Sequence, residues 1–351
     1  MAYYVIAMLI SVLISQFIKK KYGFETKKTF KMFISLLPLT LISALRYQVG
    51  WDYKNYTEGF IIVGYWNNHH YGELGFELLI KLLYVLTKDP ISLFIVMSTL
   101  TAYFFSLCYK EYGKEKYTSM YIFLYVLTRY YFCSLNIIRQ ALAMMIVLYA
   151  LHYIAEKKYF KYALLVFLAF EIHKLSILYL PLGFILNMNF KKKKSIFLLT
   201  MTLPIIVVIL YLFLNGSSYM NYFNNMFGND GTLVYSELII CVSILFSIFI
   251  GKNKYDDTNK MYKIFFNMEL LVLLFSLLSF LLPTVDRIIW YLSVQNIFLI
   301  PLILENISRN RDRLVSGVLI FVSLLIVFLN QTVIKSDSYA ILPYNSIFNK
   351  Q

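Results

Sequence analysis

The sequence predicts an all-α polytopic membrane protein, and three observations indicate this class. Hydrophobic residues make up 60% of the 351 residues, and the mean hydropathy is +0.65, whereas a soluble domain is about 45–50% apolar. Apolar runs recur along the whole chain, each about as long as the 17–25 residues that a membrane-spanning helix needs. Lysine-rich connections alternate with lysine-poor ones, as they do in chains that cross a membrane repeatedly.

The apolar runs define the predicted helices. We expect about 12 transmembrane helices, with 11 and 13 as the alternatives, in a single integral-membrane domain that covers residues 1–351. The predicted spans are 2–18, 32–45, 91–109, 117–133, 137–154, 159–172, 175–188, 195–214, 233–250, 264–282, 286–304 and 314–330. No basic segment precedes the first run and no small-residue cleavage site follows it, so we expect a retained span rather than a signal peptide.

Two stretches leave alternatives open. The segment Leu74–Thr87 is short and carries Glu77 and Lys81, so we expect an interfacial or re-entrant helix there. In the stretch 159–188, two short apolar runs flank the segment Glu171-Ile172-His173-Lys174. These runs are either two short tilted spans or a broken re-entrant pair, and in both cases the flanking residues return to the same side of the membrane.

The distribution of positive charge predicts the orientation. Most lysines and arginines lie in six connections, which are 19–31, 110–116, 157–161, 191–194, 252–263 and 309–313. By the positive-inside rule these connections are cytoplasmic, and an even number of spans then leaves both termini outside. We interpret these charges as orientation signals and lipid-headgroup contacts. Although the formal net charge is +14, no continuous basic face with interleaved aromatic residues occurs, so we expect no nucleic-acid partner.

The sequence lacks the motifs of several other chemistries. Cys108, Cys133 and Cys241 are scattered along the sequence, so neither a metal site nor a disulfide framework is indicated. No GxSxG, P-loop, HExxH or GxGxxG motif occurs. The DxD arrangement of a metal-held nucleotide-sugar site is absent, since Asp256 and Asp257 are adjacent and lie in a lysine-rich connection. We therefore expect no metal and no other cofactor.

The polar residues that orientation does not explain lie on the predicted outer side. Those singled out are Arg46, Trp51, Asp52, Tyr53, Tyr56, Asn136, Arg139, Gln140, His173, Lys174, Arg287 and Tyr344. Three arginines at the ends of spans indicate an anion site, because a guanidinium binds phosphate through two hydrogen bonds and remains charged when partly desolvated. A transporter would need polar residues at mid-depth in broken helices, so polarity at one face favours an enzyme that acts on a lipid-linked substrate.

Several of these residues also have a structural interpretation. Arg139 is predicted one turn into a helix, where the dipole opposes a cation, so it either binds a ligand or snorkels to the interface. His173 could act as a general base, donate to a phosphate oxygen or form an interfacial hydrogen bond. Arg287 could bind the ligand or pair with Asp52. The aromatic residues of the stretch 44–56 could bind a ligand or form an interfacial belt.

Taken together, these residues resemble a known family. In chain order the blocks are Arg46-x3-Gly50-x-Asp52-Tyr53-x2-Tyr56, Gly75-Phe76-Glu77, Asn136-x2-Arg139-Gln140-Ala141-x-Ala143, His173-Lys174-x-Ser176, Arg287 and Pro343-Tyr344. From the second span to the C-terminal tail, the chain is similar to the EpsG-type family of bacterial exopolysaccharide and O-antigen polymerases, the Wzy-like proteins. The blocks around Arg46 and Arg139 are the most specific, and Trp51 departs from the small polar residue that many members carry.

The resemblance implies a fold, a reaction and a location. The fold would be similar to the type C glycosyltransferases, with short interfacial helices in the outer loops. The reaction would occur at the outer face of the bacterial cytoplasmic membrane, without a metal or cofactor. A growing glycan on undecaprenyl diphosphate would be the donor, and a single repeat unit on the same carrier would be the acceptor. A chain-length regulator is a candidate partner, beside membrane lipid.

Within that reaction, the singled-out residues take distinct roles. Arg46, Arg139 and Arg287 would hold the two diphosphates and neutralise the one that leaves. Asp52 is the first choice for the base that deprotonates the acceptor hydroxyl, and His173 is the second. Substrate binding would also involve Asn136, Gln140, Lys174 and Tyr344, with Trp51, Tyr53 and Tyr56 packed against sugar rings.

Two other functions are alternatives. A glycan ligase, which hands polymer to a lipid core, usually carries a large outer loop late in the chain. Here the longest outer connections, 46–90 and 215–232, are of modest size. A flippase for lipid-linked oligosaccharides would line its path with charges at mid-bilayer. The surface-glycan ladder of cells that carry arginine variants distinguishes a polymerase from these two alternatives.

Overall fold

The structure, a computed structural model, describes residues 1–22, 27–188, 232–250, 260–279, 286–334 and 339–349. Within these residues all regular structure is helical, apart from one isolated β-bridge between Arg46 and Ser346. The predicted all-α class is therefore confirmed. The predicted span 195–214 lies outside the described residues.

The helices follow the predicted apolar runs. In chain order they are α1 (Ala2–Tyr22), α2 (Lys28–Ala44), α3 (Tyr53–Gly64), α4 (Leu74–Thr87), α5 (Ile91–Tyr112), α6 (Thr118–Leu127), α7 (Tyr130–Asn136), α8 (Ile138–Ala155), α9 (Tyr159–Phe170), α10 (Tyr179–Leu186), α11 (Thr232–Ile250), α12 (Lys260–Leu278), α13 (Asp286–Ser293), α14 (Asn296–Asn306) and α15 (Asn310–Leu329). Short turns of 3-10 or π helix lie at Glu115–Tyr117, Lys174–Leu178, Asn330–Ile334 and Ile347–Asn349. Each predicted span within the described residues overlaps one α-helix or two consecutive ones.

Some of these helices are long and apolar enough to cross a membrane. Among the described residues there are four, namely α5, α8, α12 and the helix Asn310–Ile334, which is α15 with its π turn. A fifth results if α13 and α14, which meet at a 40° bend, are counted as one broken span. Apolar helices of this kind suggest a membrane-embedded protein. The predicted number of about 12 spans stays a prediction.

Two helices, α3 and α4, lie in the connection between α2 and α5. α4 has the bounds expected for its segment, while its position relative to the membrane stays a prediction. α3 is absent from the predicted spans because polar residues interrupt its apolar run. Its buried residues Tyr53, Tyr56, Phe60 and Val63 nevertheless recur at helical spacing, so one face of α3 packs against the protein.

The first compact unit comprises Met1–Tyr153, Lys158–Ile177 and Leu324–Gln351. In this unit α2 packs against α1 and α5, α1 also packs against α6, and α3 packs against α4. The buried face of α2 includes Met32, Leu36 and Leu39, which recur every three to four residues. A hydrogen bond of 2.8 Å between the hydroxyls of Ser43 and Ser98 joins α2 to α5.

The second compact unit comprises Ile154–Lys157 and Leu178–Ser323. Here α12 packs against α10, α11, α13 and α14. The side-chain amide of Asn267, in α12, donates to the carbonyls of Leu186 (2.8 Å) and Met188 (2.9 Å), which fixes the end of α10 to α12. The prediction of a single domain over the whole chain stays a prediction.

Candidate active site

Arg46, the first predicted phosphate ligand, is completely buried. Its guanidinium donates to the carbonyls of Val49 (Nε, 3.3 Å), Leu135 (Nη2, 3.1 Å) and Ser43 (Nη1). It also lies 4.4 Å from the centroid of the Phe94 ring, a cation–π contact. A buried guanidinium is stable only when its N–H groups have acceptors, and here backbone carbonyls supply them. In this structure Arg46 therefore holds the loop after α2, and its contact with a diphosphate stays a prediction.

The loop after α2 is fixed against the end of α7. Gly50 has φ +97°, and a Cβ there would lie 2.6 Å from the Leu135 carbonyl oxygen, so glycine is required for two reasons. The next residue, Trp51, donates its backbone N–H to the side-chain oxygen of Asn136 at 2.7 Å. The Asn136 amide in turn donates to the Phe132 carbonyl at 3.2 Å. Asn136 thereby connects α7 to the loop that carries Trp51.

The C-terminal segment 339–349 packs on the same loop. The backbone N–H of Ile347 donates to the Leu45 carbonyl at 3.0 Å, next to the β-bridge described above. The hydroxyl of Tyr344 donates to the Ile42 carbonyl, at the end of α2, over 3.1 Å. Tyr344, a predicted substrate-binding residue, is therefore part of the contact that holds the C-terminal segment in place.

The predicted sugar-binding aromatics differ in exposure. Trp51 is 54% exposed, whereas Tyr53 and Tyr56 are buried. Tyr53 stacks on Phe94 with ring centroids 4.7 Å apart, and Tyr56 stacks on Tyr71 at 6.0 Å. Of the three side chains, Trp51 is thus the most accessible to a ligand.

The other predicted residues of the first unit also vary in burial. Asp52 directly precedes α3 and is half-buried, and its carbonyl accepts the backbone N–H of Tyr56 at 3.0 Å. Gln140 and His173 are 1% and 3% exposed. The backbone N–H of His173 donates to the Ala169 carbonyl at 2.8 Å, so this residue continues the end of α9.

Arg139, near the start of α8, forms an ion pair with Glu73. The Nη1 atom of Arg139 lies 2.6 Å from Oε2 of Glu73, and the two side chains are 13% and 0% exposed. The guanidinium also lies 4.6 Å from the centroid of the Tyr71 ring and 5.4 Å from that of Phe76. Aromatic faces and a carboxylate therefore compensate the charge of Arg139 at this partly covered position.

Glu77 holds the loop 69–72, which directly precedes Glu73. Its Oε1 atom accepts the backbone N–H groups of His70 (2.9 Å), Tyr71 (2.8 Å) and Gly72 (3.0 Å), and its Oε2 lies 2.6 Å from Nδ1 of His69. Burial raises the pKa of Glu77, but these hydrogen bonds outweigh burial and hold the pKa at about 2. An ionised Glu77 therefore fixes the fold of the loop.

The turn after α9 packs on the start of α4. Glu171 accepts two backbone N–H groups there, from Gly75 through its carboxylate (3.0 Å) and from Phe76 through its carbonyl (2.9 Å). These groups would otherwise lack a partner at a helix N-terminus. In the same turn, Nζ of Lys174 lies where a Cβ at Gly72 would approach it to 2.9 Å. Lys174 consequently contacts the loop directly before Glu73.

Glu73, Arg139, Lys174 and His70 form one cluster. The pKa values of Glu73 and His70 depend on burial and on the charges of nearby cations. Burial raises the pKa of Glu73, and the positive charges of Arg139 and Lys174 oppose that rise. Burial also lowers the pKa of His70, and the charge of Arg139 lowers it further. Oε1 of Glu73 is buried, and no described residue gives it a hydrogen bond. The cluster can therefore hold an anion at the cations and accept a proton at the carboxylate.

The predicted site residues omit two buried charged residues of the first unit that have side-chain partners. One is Glu73, which lies in a polar loop and directly precedes the Gly75-Phe76-Glu77 block. The other is Arg129, which is completely buried between α6 and α7 and donates to the side-chain oxygen of Gln331. That oxygen also accepts the hydroxyl hydrogen of Tyr339 at 3.0 Å. A charge within an apolar run is a usable signal for Arg129, but no local pattern distinguishes Glu73.

The structure assigns the predicted site residues to the two units unequally. The first unit contains Arg46, Trp51, Asp52, Tyr53, Tyr56, Asn136, Arg139, Gln140, His173, Lys174 and Tyr344. Arg287, the second residue of α13, belongs to the second unit and is half-buried. Within the first unit, the loop before α4, the start of α8 and the turn after α9 meet at Glu73.

Comparison with known proteins identifies the family. No curated protein and no solved structure matches the chain. A family model does match, that of the EpsG family, and the match runs from residue 29 to residue 346. Because this match covers nearly the whole chain, the protein belongs to the EpsG family of Wzy-like polymerases.

Proposed function

We propose that the protein is a repeat-unit polymerase, which transfers a growing glycan from undecaprenyl diphosphate to a repeat unit on the same lipid carrier. Membership of the EpsG family supports a glycosyltransferase-like polymerase. The observation that carries the proposal is the meeting of three distant segments at one cluster. There Arg139 forms its 2.6 Å ion pair with Glu73, and the charge of Lys174 acts on the same carboxylate.

The cations account for the binding and departure of the diphosphate. A guanidinium binds a phosphate through two hydrogen bonds, and Lys174 adds a second positive charge. As the bond between the donor sugar and the diphosphate breaks, negative charge develops on the leaving oxygen, and fixed cations stabilise it. Direct displacement would invert the anomeric centre. Asp52 and His173 are the bases proposed from the sequence, and Arg287 is proposed as a further phosphate ligand.

The remaining residues of the cluster would orient the substrate. Trp51, which is 54% exposed, has a ring face that can pack against a sugar. Arg46, Asn136 and Tyr344 act through the loop after α2, whose position they hold by hydrogen bonds. Gln140, Tyr53 and Tyr56 would line or support the same site, and their direct contact with the glycan is a proposal.

The location follows from the same reasoning. Apolar helices suggest a membrane-embedded protein, and the EpsG family is bacterial. We place the reaction at the outer face of the cytoplasmic membrane, because the lysine-rich connections mark the opposite face as cytoplasmic. The mechanism needs no metal ion or cofactor, since arginine and lysine side chains neutralise the diphosphate. A chain-length regulator is a candidate partner.

The test is the surface-glycan ladder of cells that carry Arg139→Ala as the sole copy. We expect single repeat units on the surface and no ladder, because loss of the phosphate ligand stops polymerisation but not export. Lys54→Ala is the matched control, since Lys54 is an 85% exposed cation of α3 and pairs with Glu58 across one helical turn. A normal ladder with Arg139→Ala would contradict the proposal.

One observation favours a second candidate, a flippase for lipid-linked oligosaccharides. In the second unit, the bend between α13 and α14 contains Gln295, whose amide donates to the buried Glu269 of α12 at 2.7 Å. Polar side chains at a break between helices are typical of transporters. A flippase defect leaves no glycan on the surface, as does a ligase defect. Loss of even the single repeat unit with Arg139→Ala would therefore favour these alternatives.

A further inference from the structure

Glu73 is an acidic residue that directly contacts a predicted phosphate-binding cation. We infer that Glu73 is the general base of the transfer, and that Arg139 holds it until the substrate diphosphate takes its place. This inference rests on the proposed polymerase function. It adds a residue to the reaction for which the sequence offers Asp52 and His173 as bases.

Arg139 donates to one oxygen of the Glu73 carboxylate, and no described residue hydrogen-bonds to the other. The backbone N–H groups of Lys174 and Glu73 also act on this carboxylate and lower its pKa. Oε2 accepts the 2.6 Å hydrogen bond from Arg139. Oε1 is buried, and within the described ranges of the chain nothing donates a hydrogen bond to it. Leaving a buried acceptor unsatisfied is costly, so the atom points to a donor that the substrate brings. A sugar hydroxyl is such a donor, and it carries the proton that a base must remove.

Arg139 can meet a second anion from its accessible side. Its side chain is 13% exposed, while that of Glu73 is fully covered. An incoming diphosphate therefore reaches the guanidinium without first crossing the carboxylate. A diphosphate carries more charge than a carboxylate, and it can bind the planar guanidinium through two oxygens, whereas Glu73 uses only Oε2. It would consequently displace Glu73, and the charge of Lys174 would further favour the exchange.

The transfer exchanges one bond of the anomeric carbon for another and moves one proton. The acceptor hydroxyl gives its proton to the released Glu73 carboxylate while its oxygen forms a bond to the anomeric carbon of the donor glycan. The bond between that carbon and the diphosphate oxygen breaks, and its electron pair leaves with the diphosphate. Arg139 and Lys174 neutralise the charge on the leaving group. Glu73 afterwards passes its proton to water, and its carboxylate returns to Arg139 when undecaprenyl diphosphate departs.

The titratable groups around Glu73 lie on several elements. Arg139 of α8 and Lys174 of the turn after α9 act on the Glu73 carboxylate directly, and the charge of Glu73 acts on Tyr71 of its own loop. The neighbouring groups are Glu171 of the turn after α9, His69 and His70 of the loop, Glu77 of α4, and Asp52 before α3, whose charge acts on Tyr71. Burial raises the pKa of Glu73 above its ordinary value, and Arg139 opposes that rise. A base acts when ionised, so activity falls as the pH drops through this pKa.

The exchange on Arg139 is tested with inorganic pyrophosphate and the purified full-length protein in detergent. If Glu73 competes with the ligand, Glu73→Gln binds pyrophosphate several-fold more tightly than the parent protein, while Arg139→Ala loses binding. Glu58→Gln, an exposed acid of α3, is the control and leaves the affinity unchanged. An unchanged or weaker affinity in a folded Glu73→Gln protein overturns the exchange.

The role as base is tested by polymer formation in membranes that contain the protein's own lipid-linked substrate. Glu73→Ala should lower the rate about 10²–10⁴-fold, the usual contribution of a general base, and added formate should restore part of it. Glu73→Asp should remain active with a shifted acid limb of the pH–rate profile. A Glu73→Ala rate close to that of the parent protein, or one that formate leaves unchanged, overturns the inference. If Arg139→Ala also polymerises normally, the proposed function itself fails.

Discussion

Two buried carboxylates, Glu73 in the first unit and Glu269 in the second, have opposite surroundings. Both are almost fully buried, and each has one oxygen that receives no hydrogen bond from the described residues. Glu73 lies in a loop and faces Arg139 at 2.6 Å. Glu269 lies inside α12, where its Oε2 accepts from the amide of Gln295 at 2.7 Å. Among the described residues no Lys, Arg or His is within ion-pair distance of Glu269.

Because one partner is charged and the other neutral, the two carboxylates can take part in different chemistry. In the Glu73–Arg139 ion pair, an incoming anion can displace the carboxylate from the guanidinium, which suits a reaction with a diphosphate. Glu269 instead accepts from a neutral amide, that of Gln295, which also donates to the side-chain oxygen of Asn296 at 2.7 Å. Because a buried charge is costly without a counter-charge, we expect Glu269 to act through hydrogen bonding at the bend between α13 and α14.

The largest expected contrast comes from the same substitution at both positions. Glu73→Gln leaves Arg139 without its carboxylate, and losing one partner of a buried pair costs about 3–5 kcal/mol of unfolding free energy. Glu269→Gln replaces an acid by an isosteric amide beside other amides, so the free energy should change by less than about 1 kcal/mol. Reversible unfolding of the purified protein in mixed micelles measures both values. Equal losses at the two positions would remove the distinction.

A smaller effect is expected when the neutral partner is removed. Gln295→Ala deprives Glu269 of its amide donor, and an unsatisfied buried acceptor costs about 1–3 kcal/mol. If the loss arises from this hydrogen bond, the double variant Glu269→Leu with Gln295→Ala should be less destabilised than the sum of the two single variants. The same unfolding assay provides the measurement. Strict additivity would mean that the two side chains act independently.

A third effect, visible only at low pH, is a change in the pH dependence of stability at the loop before α4. The pKa of Glu77 is held at about 2, below its ordinary 4.5. The stability from Glu77 is therefore fully present above pH 4.5 and is lost as the pH falls towards 2. Glu77→Gln should flatten the dependence of the melting temperature on pH in this window, whereas Glu58→Gln should leave it as in the parent protein. A parallel profile for Glu77→Gln would show that these hydrogen bonds do not hold the carboxylate ionised.

Much of the fold could be predicted from the sequence. Apolar runs mark helices because a helix that faces lipid or a core must carry apolar side chains along its own length. The bounds of α4 follow from such a run, and the family follows from short blocks around Arg46 and Arg139. The apolar runs do not predict α3, because the residues of its buried face, such as Tyr53 and Tyr56, alternate with polar residues.

The candidate site was predictable in outline only. Arg139 and Lys174 stand out in the sequence because they are charged and lie at the ends of apolar runs, and the structure brings both to one carboxylate. The charge of Arg46 does not reveal that its guanidinium donates to the carbonyls of Ser43, Val49 and Leu135. A hydropathy pattern records which residue types lie along a helix, but not which partner each polar atom finds.

The sequence by itself determined the helical class, the positions of most helices and membership of the EpsG family, since each depends on residues close together in the chain. Only the tertiary structure decided that Glu73 faces Arg139, which is 66 residues away, and that Glu269 faces an amide. Burial and a partner's charge set the chemistry of a carboxylate, and both arise only when distant segments pack together.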